Sequence, residues 1–225
     1  NHLKEIMNFE CTIFNAGIST TANQEHSVFE GKVSNYLLHA KNIEHKFIDL
    51  KGSFAGYQDE LRIFDDNSND SKMENTAERE ISEVVRKFQI GEITEKRKNL
   101  VDFYEQFSKV SHDITNEVIH THLESWKQHQ KKYVNGNAYV DLNKIQKWCE
   151  MIATSILKVK EQIKEFNIFQ QNLCAFEATF EPIMVREVFD KLNEIYFMFI
   201  KSTVIIEEQP KQVIKIGNKV KTKLR

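Results

Sequence analysis

Apolar residues recur at steps of three and four along most of the chain, and the recurrence breaks at only a few points. Val33, Tyr36, Ala40, Ile43, Phe47, Leu50, Phe54, Tyr57, Leu61 and Phe64 follow one another without a miss. That spacing lines one face of a helix, and when sustained it makes a coiled-coil seam. Asp65-Asp66-Asn67-Ser68-Asn69-Asp70-Ser71 interrupts it with residues that favour turns and caps. A second helix is expected from Ser71, with Glu74 as capping-box partner. Its seam reads Ala77, Ile81, Val84 and Phe88, changes phase near Gly91, and resumes at Ile93, Arg97, Leu100, Tyr104, Phe107, Ser111, Ile114 and Val118. It should end near Lys131-Lys132, before the turn signal Asn135-Gly136-Asn137. Asp141 is a good N-cap for a third helix carrying Leu142, Ile145, Cys149, Ile152, Ile156, Val159, Ile163 and Phe166, with the seam then shifting to Phe169, Leu173 and Phe176. Pro182 suits the first position of a fourth, lined by Val185, Val188, Leu192, Ile195 and Phe199.

The period changes after Glu207-Glu208-Gln209-Pro210. Ile214, Ile216, Val220 and Leu224 alternate with Lys215, Lys219, Lys221, Lys223 and Arg225, the period of two of a half-buried strand. One strand is not stable alone, so it is expected to belong to a β domain of a longer protein; the first residue, Asn1, fits the same expectation. The fold expected is therefore all-α: an elongated antiparallel four-helix coiled-coil bundle over residues 27–208, with 209–225 opening a truncated β domain. Residues 1–26 read as a linker or the tail of a preceding N-terminal domain; Ala16 to Ser27 carries the linker composition, while Leu3, Ile6, Met7, Ile13 and Phe14 could instead line an extra helix on the rod.

Composition supports long helices, because only 7 Gly and 2 Pro interrupt 225 residues. A formal charge of −2 gives no bulk argument for nucleic acid or an anionic membrane. No apolar run approaches the roughly 20 residues of a bilayer span. Cys11, Cys149 and Cys174 are odd in number and lack metal-ligand spacing, which fits a reducing compartment.

Candidate chemistry is sparse. Glu117 and His120 stand at i, i+3 as in di-iron bundles, but a second Glu-x-x-His is missing, so a solvated helix face is expected rather than a metal site. His112, His120, His122 and His129 share one helix, with His120 and His122 on different faces. Trp126 and Trp148 could stack on a base; beside a turn they are expected to anchor it. Lys96-Arg97-Lys98 resembles a short import patch, yet Arg97 falls on the seam, where its stem can pack and its head snorkel. Cys149 reads as a small core hydrophobe, and the basic strand face from Lys215 to Arg225 as solvated. No catalytic residue, cofactor or metal site is expected.

The joints between these elements resemble one family. Leu123-Glu124-Ser125-Trp126-Lys127 followed by Asp141-Leu142-Asn143-Lys144-Ile145-Gln146-Lys147-Trp148 is similar to the tryptophan-marked turn of the signal transducers and activators of transcription, the STAT proteins. Ile43-Glu44-His45, Lys96-Arg97-Lys98 and Ser202 through Pro210 resemble their first, second and fourth helices, and Val213 through Arg225 the first strand of their DNA-binding domain. The resemblance covers roughly Val28 to Arg225. The chain departs from the family where Asn135-Gly136-Asn137 replaces a Gly-Gly-Pro turn and where Asp59 replaces an aromatic that docks in the unphosphorylated dimer.

The resemblance implies a latent transcription factor, cytoplasmic and nuclear, that binds DNA as a tyrosine-phosphorylated homodimer through an SH2 domain. This chain would be its interaction rod, meeting receptors, import factors and other transcription regulators while itself binding little or no DNA and no membrane. The rival reading is a scaffold rod of another intracellular protein; the unequal seams and the lack of a repeat weigh against a spectrin-like unit.

Overall fold

The computed structural model describes the backbone of residues 2–70, 76–132, 142–203, 206–208 and 223–224, and the side chains of 27–63, 80–128 and 142–203. In chain order these form α1 (His2–Asp70), α2 (Thr76–Glu117), a π-helical turn (Val118–Leu123), α3 (Glu124–Lys132), α4 (Leu142–Phe176), α5 (Arg186–Thr203), β1 (Ile206–Glu208) and β2 (Lys223–Leu224). α2, the π turn and α3 are one continuous rod. At about 1.5 Å per residue, the 69 residues of α1 span about 100 Å. No described helix is long and apolar enough to cross a membrane.

α1 begins far upstream of Val33. The linker expected over Ala16–Ser27 is helical, and so is the acidic stretch as far as Asp70. The reason is the absence of breakers: neither proline of the chain lies in this region, and turn-favouring side chains alone are a weak bias against a helix already running. The Ser71–Glu74 capping box, the Asn135–Asn137 turn, the Asp141 cap and most of the strand expected over Val213–Arg225 lie outside the described residues. Within the described part, Ile206 and Glu208 of β1 pair antiparallel with Leu224 and Lys223 of β2.

The four rod helices close around one core. α1 lies beside α2 and α4, and α5 closes the fourth corner between α2 and α4. Successive helices run antiparallel, yet the neighbours α1 and α4 run parallel: Phe29 meets Trp148, Phe47 meets Phe166 and Tyr57 meets Glu177, the numbers rising together. α2 and α4 thus stand on diagonal corners of the bundle.

The seams of α1 from Val33 to Tyr57 and of α2 from Ile93 to Val118 are buried at nearly every expected position. α4 keeps strict spacing past Phe166. Its inward positions there are Gln170, Leu173 and, just beyond the helix, Glu177, not the expected Phe169 and Phe176. The seam does not shift; two of its positions are polar. α5 starts at Arg186, four residues after Pro182. The Gln170 carboxamide accounts for the delay: its Oε1 accepts from the Ile183 N–H at 2.7 Å and its Nε2 donates to the Ile183 carbonyl at 3.1 Å. With both backbone groups engaged sideways, Ile183 does not enter a helical turn.

Candidate interaction surface

The end of the bundle nearest the Trp126 turn is an aromatic plug. Trp148 is 3 % exposed. Its ring lies edge-on to Phe29 at 4.8 Å and to His122 at 5.2 Å, and Phe29 and His122 approach within 4.3 Å. Trp126 is half-buried against the core. Both tryptophans therefore pack on the core, as expected, and Trp148 has no exposed face for a base. His122 reaches this position through the π turn. Val118 and Leu123 are both buried yet five residues apart, a spacing an α-helix cannot present to one side; the wider turn absorbs the extra residue. His122 comes inward with Leu123 while His120 stays exposed.

The other histidines do not converge. Glu117 is spent on an ion pair to Lys32 of α1 at 2.7 Å, and His112 contacts Asn116 at 2.9 Å. Among the described residues no group of His, Cys, Asp and Glu is arranged to hold a metal ion. Cys149 is half-buried, and burial pushes its thiol up to about 12, which leaves it unreactive at neutral pH.

The far end is held by polar groups that apolar periodicity could not reveal. Arg97 is 1 % exposed, so its head does not snorkel. Instead its Nη2 donates to Gln170 Oε1 at 2.8 Å and to the Glu181 carbonyl at 2.6 Å, and its guanidinium lies 5.6 Å from the Phe180 ring. One turn past Leu173, Glu177 receives the Tyr57 hydroxyl at 3.0 Å, the Thr179 hydroxyl at 2.6 Å and the Arg86 guanidinium. The Thr179 and Arg86 contacts, aided by Tyr57 and opposed by burial, hold the Glu177 carboxyl at about 2. These two clusters clamp the Glu177–Val185 connector onto α1 and α2. The only sequence sign of them was an arginine on a seam.

Lys96-Arg97-Lys98 is correspondingly not a free basic patch. Lys96 pairs with Glu92 at 2.9 Å and Asp49 at 3.0 Å, and Arg97 is interior.

The α1–α2 hairpin continues beyond the clamp, where neither α4, which ends at Phe176, nor α5, which starts at Arg186, extends beside it among the described residues. There the expected seam of Ile81, Val84 and Phe88 fails: the three are 64, 67 and 72 % exposed, and Val85 is exposed beside them. α2 is uninterrupted from Thr76 to Glu117, so the phase change near Gly91 is not absorbed as the one at Val118 is. Val84 precedes Ile93 by nine residues, about two and a half turns, and faces away from the core. The side turned toward α1 carries Arg86 and Gln89, bound to Tyr57 and Glu60 respectively. The hairpin tip thus presents a two-turn apolar stripe to solvent. Elsewhere the outer faces carry ion pairs such as Lys51–Glu165 and Lys144–Glu30, both at 3.3 Å, together with exposed apolar side chains such as Ile48, Ile168, Met184 and Phe197.

Solved structures share this architecture. One chain of a crystal structure described as STAT2 in complex with IRF9 superposes with a TM-score of 0.56 at 11 % identity, over 77 % of this chain and 95 % of that one. Residues 23–195 match the family described as STAT transcription factor, coiled-coil domain, and with more than half of its length inside that match, from the start of the α1 core into α5, the chain belongs to the STAT family.

Proposed function

We propose that this chain is the protein-interaction rod of a STAT-type latent transcription factor, a signal transducer that moves from cytoplasm to nucleus and binds DNA as a tyrosine-phosphorylated dimer. The observation that carries the reading is the family match over 23–195, set on a bundle that buries most of its apolar seams and carries exposed ion pairs on its outer faces. Such faces tune partner choice and on-rate more than affinity. A STAT2 chain seen in complex with IRF9 has the same fold, and by analogy the rod here engages receptors, import factors or other transcription regulators. The role of the segment from Gln209 onward is to open the DNA-binding β domain, and residues 1–26 lead in from a preceding domain.

The reading separates two activities. Deleting residues 27–208 from the longer protein should leave phosphotyrosine-dependent dimerisation measurable and abolish co-purification of the rod's protein partners. The 225-residue chain alone should retain duplex DNA only weakly and lose it steeply with added salt, and removing Lys211 to Arg225 should abolish that residue of binding. Sequence-selective, salt-resistant DNA binding by the chain would place the reading function in the rod and overturn this division.

A further inference from the structure

The hairpin tip carries a seam without a helix to fill it. Ile81, Val84 and Phe88 keep the steps of three and four that line coiled-coil partners, and all three are largely exposed although the helix bearing them is regular. The α1 side of this helix is already committed through Arg86 to Tyr57 and Glu177, and through Gln89 to Glu60, so α2 cannot roll to bury the stripe against its own hairpin. What covers it must come from outside the described bundle.

The flanking charges indicate what fits. Glu80 and Lys87 lie seven residues apart, on the same edge of the stripe, while Val85 borders the other edge. In an antiparallel pairing of two such helices about a twofold axis between Ile81 and Val84, each Ile81 packs on Val84 of the second copy. Each Glu80 then faces Lys87 of the second copy, and each Lys87 faces Glu80. The surface is self-complementary in both shape and charge, as a twofold interface requires. Within one copy Lys87 rests on Glu83 at 2.7 Å with both side chains exposed, a contact of little worth in water that the pairing can exchange for another.

We propose that the outward stripe of α2, Ile81, Val84 and Phe88 edged by Glu80 and Lys87, is a homotypic docking site at which two copies of this chain associate antiparallel through their hairpin tips. It goes beyond the hetero-partner role above, since it requires only a second copy of the chain. With two turns of helix per copy the interface is small, so the association belongs to the weak, reversible class.

Sedimentation equilibrium of the full chain tests it. The wild type should pass from monomer toward dimer between micromolar and millimolar concentration. Val84→Asp should keep it monomeric throughout, with unchanged helical circular dichroism because the side chain is exposed. Glu80→Lys and Lys87→Glu should each weaken self-association about tenfold, since each sets two like-charge pairs against each other. Mixed one to one, these two variants should recover dimer, because every Glu80–Lys87 pairing is then restored as a charge-complementary pair in reversed or native sense. A strictly monomeric wild type overturns the proposal, as does a dimer that survives Val84→Asp or charge variants that do not complement.

Discussion

Buried side chains of this rod differ most in whether their polar atoms have partners. Tyr36 and Tyr104 both sit in the core, and burial pushes both phenols far up. Tyr36 exchanges a 3.0 Å hydrogen bond with Ser111, whereas no partner meets the Tyr104 hydroxyl. Tyr36→Phe should therefore cost about 1 kcal/mol, and Tyr104→Phe should be neutral or stabilising; a denaturant titration of the two variants, compared at constant slope, decides it. Trp148→Ala removes the centre of the aromatic plug and should cost about 3–5 kcal/mol; a loss under about 1 kcal/mol in the same titration would contradict its packing. Acid should act through two groups. The Glu177 carboxyl lies below its usual value of 4.5, so its stabilisation is complete above that pH and is lost as pH falls toward about 2. His39 is shifted downward by burial; it favours its neutral form, so it too loses stabilisation below its ordinary 6.5. Thermal melts from pH 7 to 3 should fall in both windows, and Glu177→Gln should flatten the lower one.

At the scale of elements, the decisive feature is a side chain standing in for backbone. Gln170 satisfies Ile183 on both sides and also accepts from Arg97. Gln170→Leu keeps the volume but leaves the Ile183 N–H and part of the Arg97 head unpaired, and should cost about 2–3 kcal/mol. The same variant should open the Glu177–Val185 connector to limited proteolysis well before α4 or α5 is cut. Element boundaries here show what spacing could reveal. Heptad steps located the cores of α1, α2 and α4 because a water-facing seam of that length would be untenable. They misplaced the start of α5 because the obstacle lies in Gln170, thirteen residues away in sequence. They also assigned Ile81, Val84 and Phe88 to the interior, since periodicity specifies a face and not whether anything lies against it. Only the phase break near Gly91 was visible in the sequence, and it survives as a stripe on an uninterrupted helix, whereas the π turn at Val118 absorbs a break that the seam did not announce. Polar seam positions such as Gln170 and Glu177 were invisible to an apolar template.

The whole molecule is a rod, and scattering should show it: the maximum dimension should approach the roughly 100 Å of α1 rather than the diameter of a compact globule of this mass. Its wiring also bears on how it is made. α1 leans on α4, and the partners Phe29 and Trp148, or Tyr57 and Glu177, are separated by well over a hundred residues. During synthesis the first hairpin can form early, but half of its seam has no cover until α4 has been translated. At about 5–20 residues per second, residues 133–203 take several seconds to emerge. For that interval Phe47, Phe54 and their neighbours face solvent on a nascent chain. The diagonal placement of α2 and α4 thus makes translation speed across the connector a determinant of yield, and slow codons placed just after α3 should lengthen the time in which a holding chaperone finds an open seam.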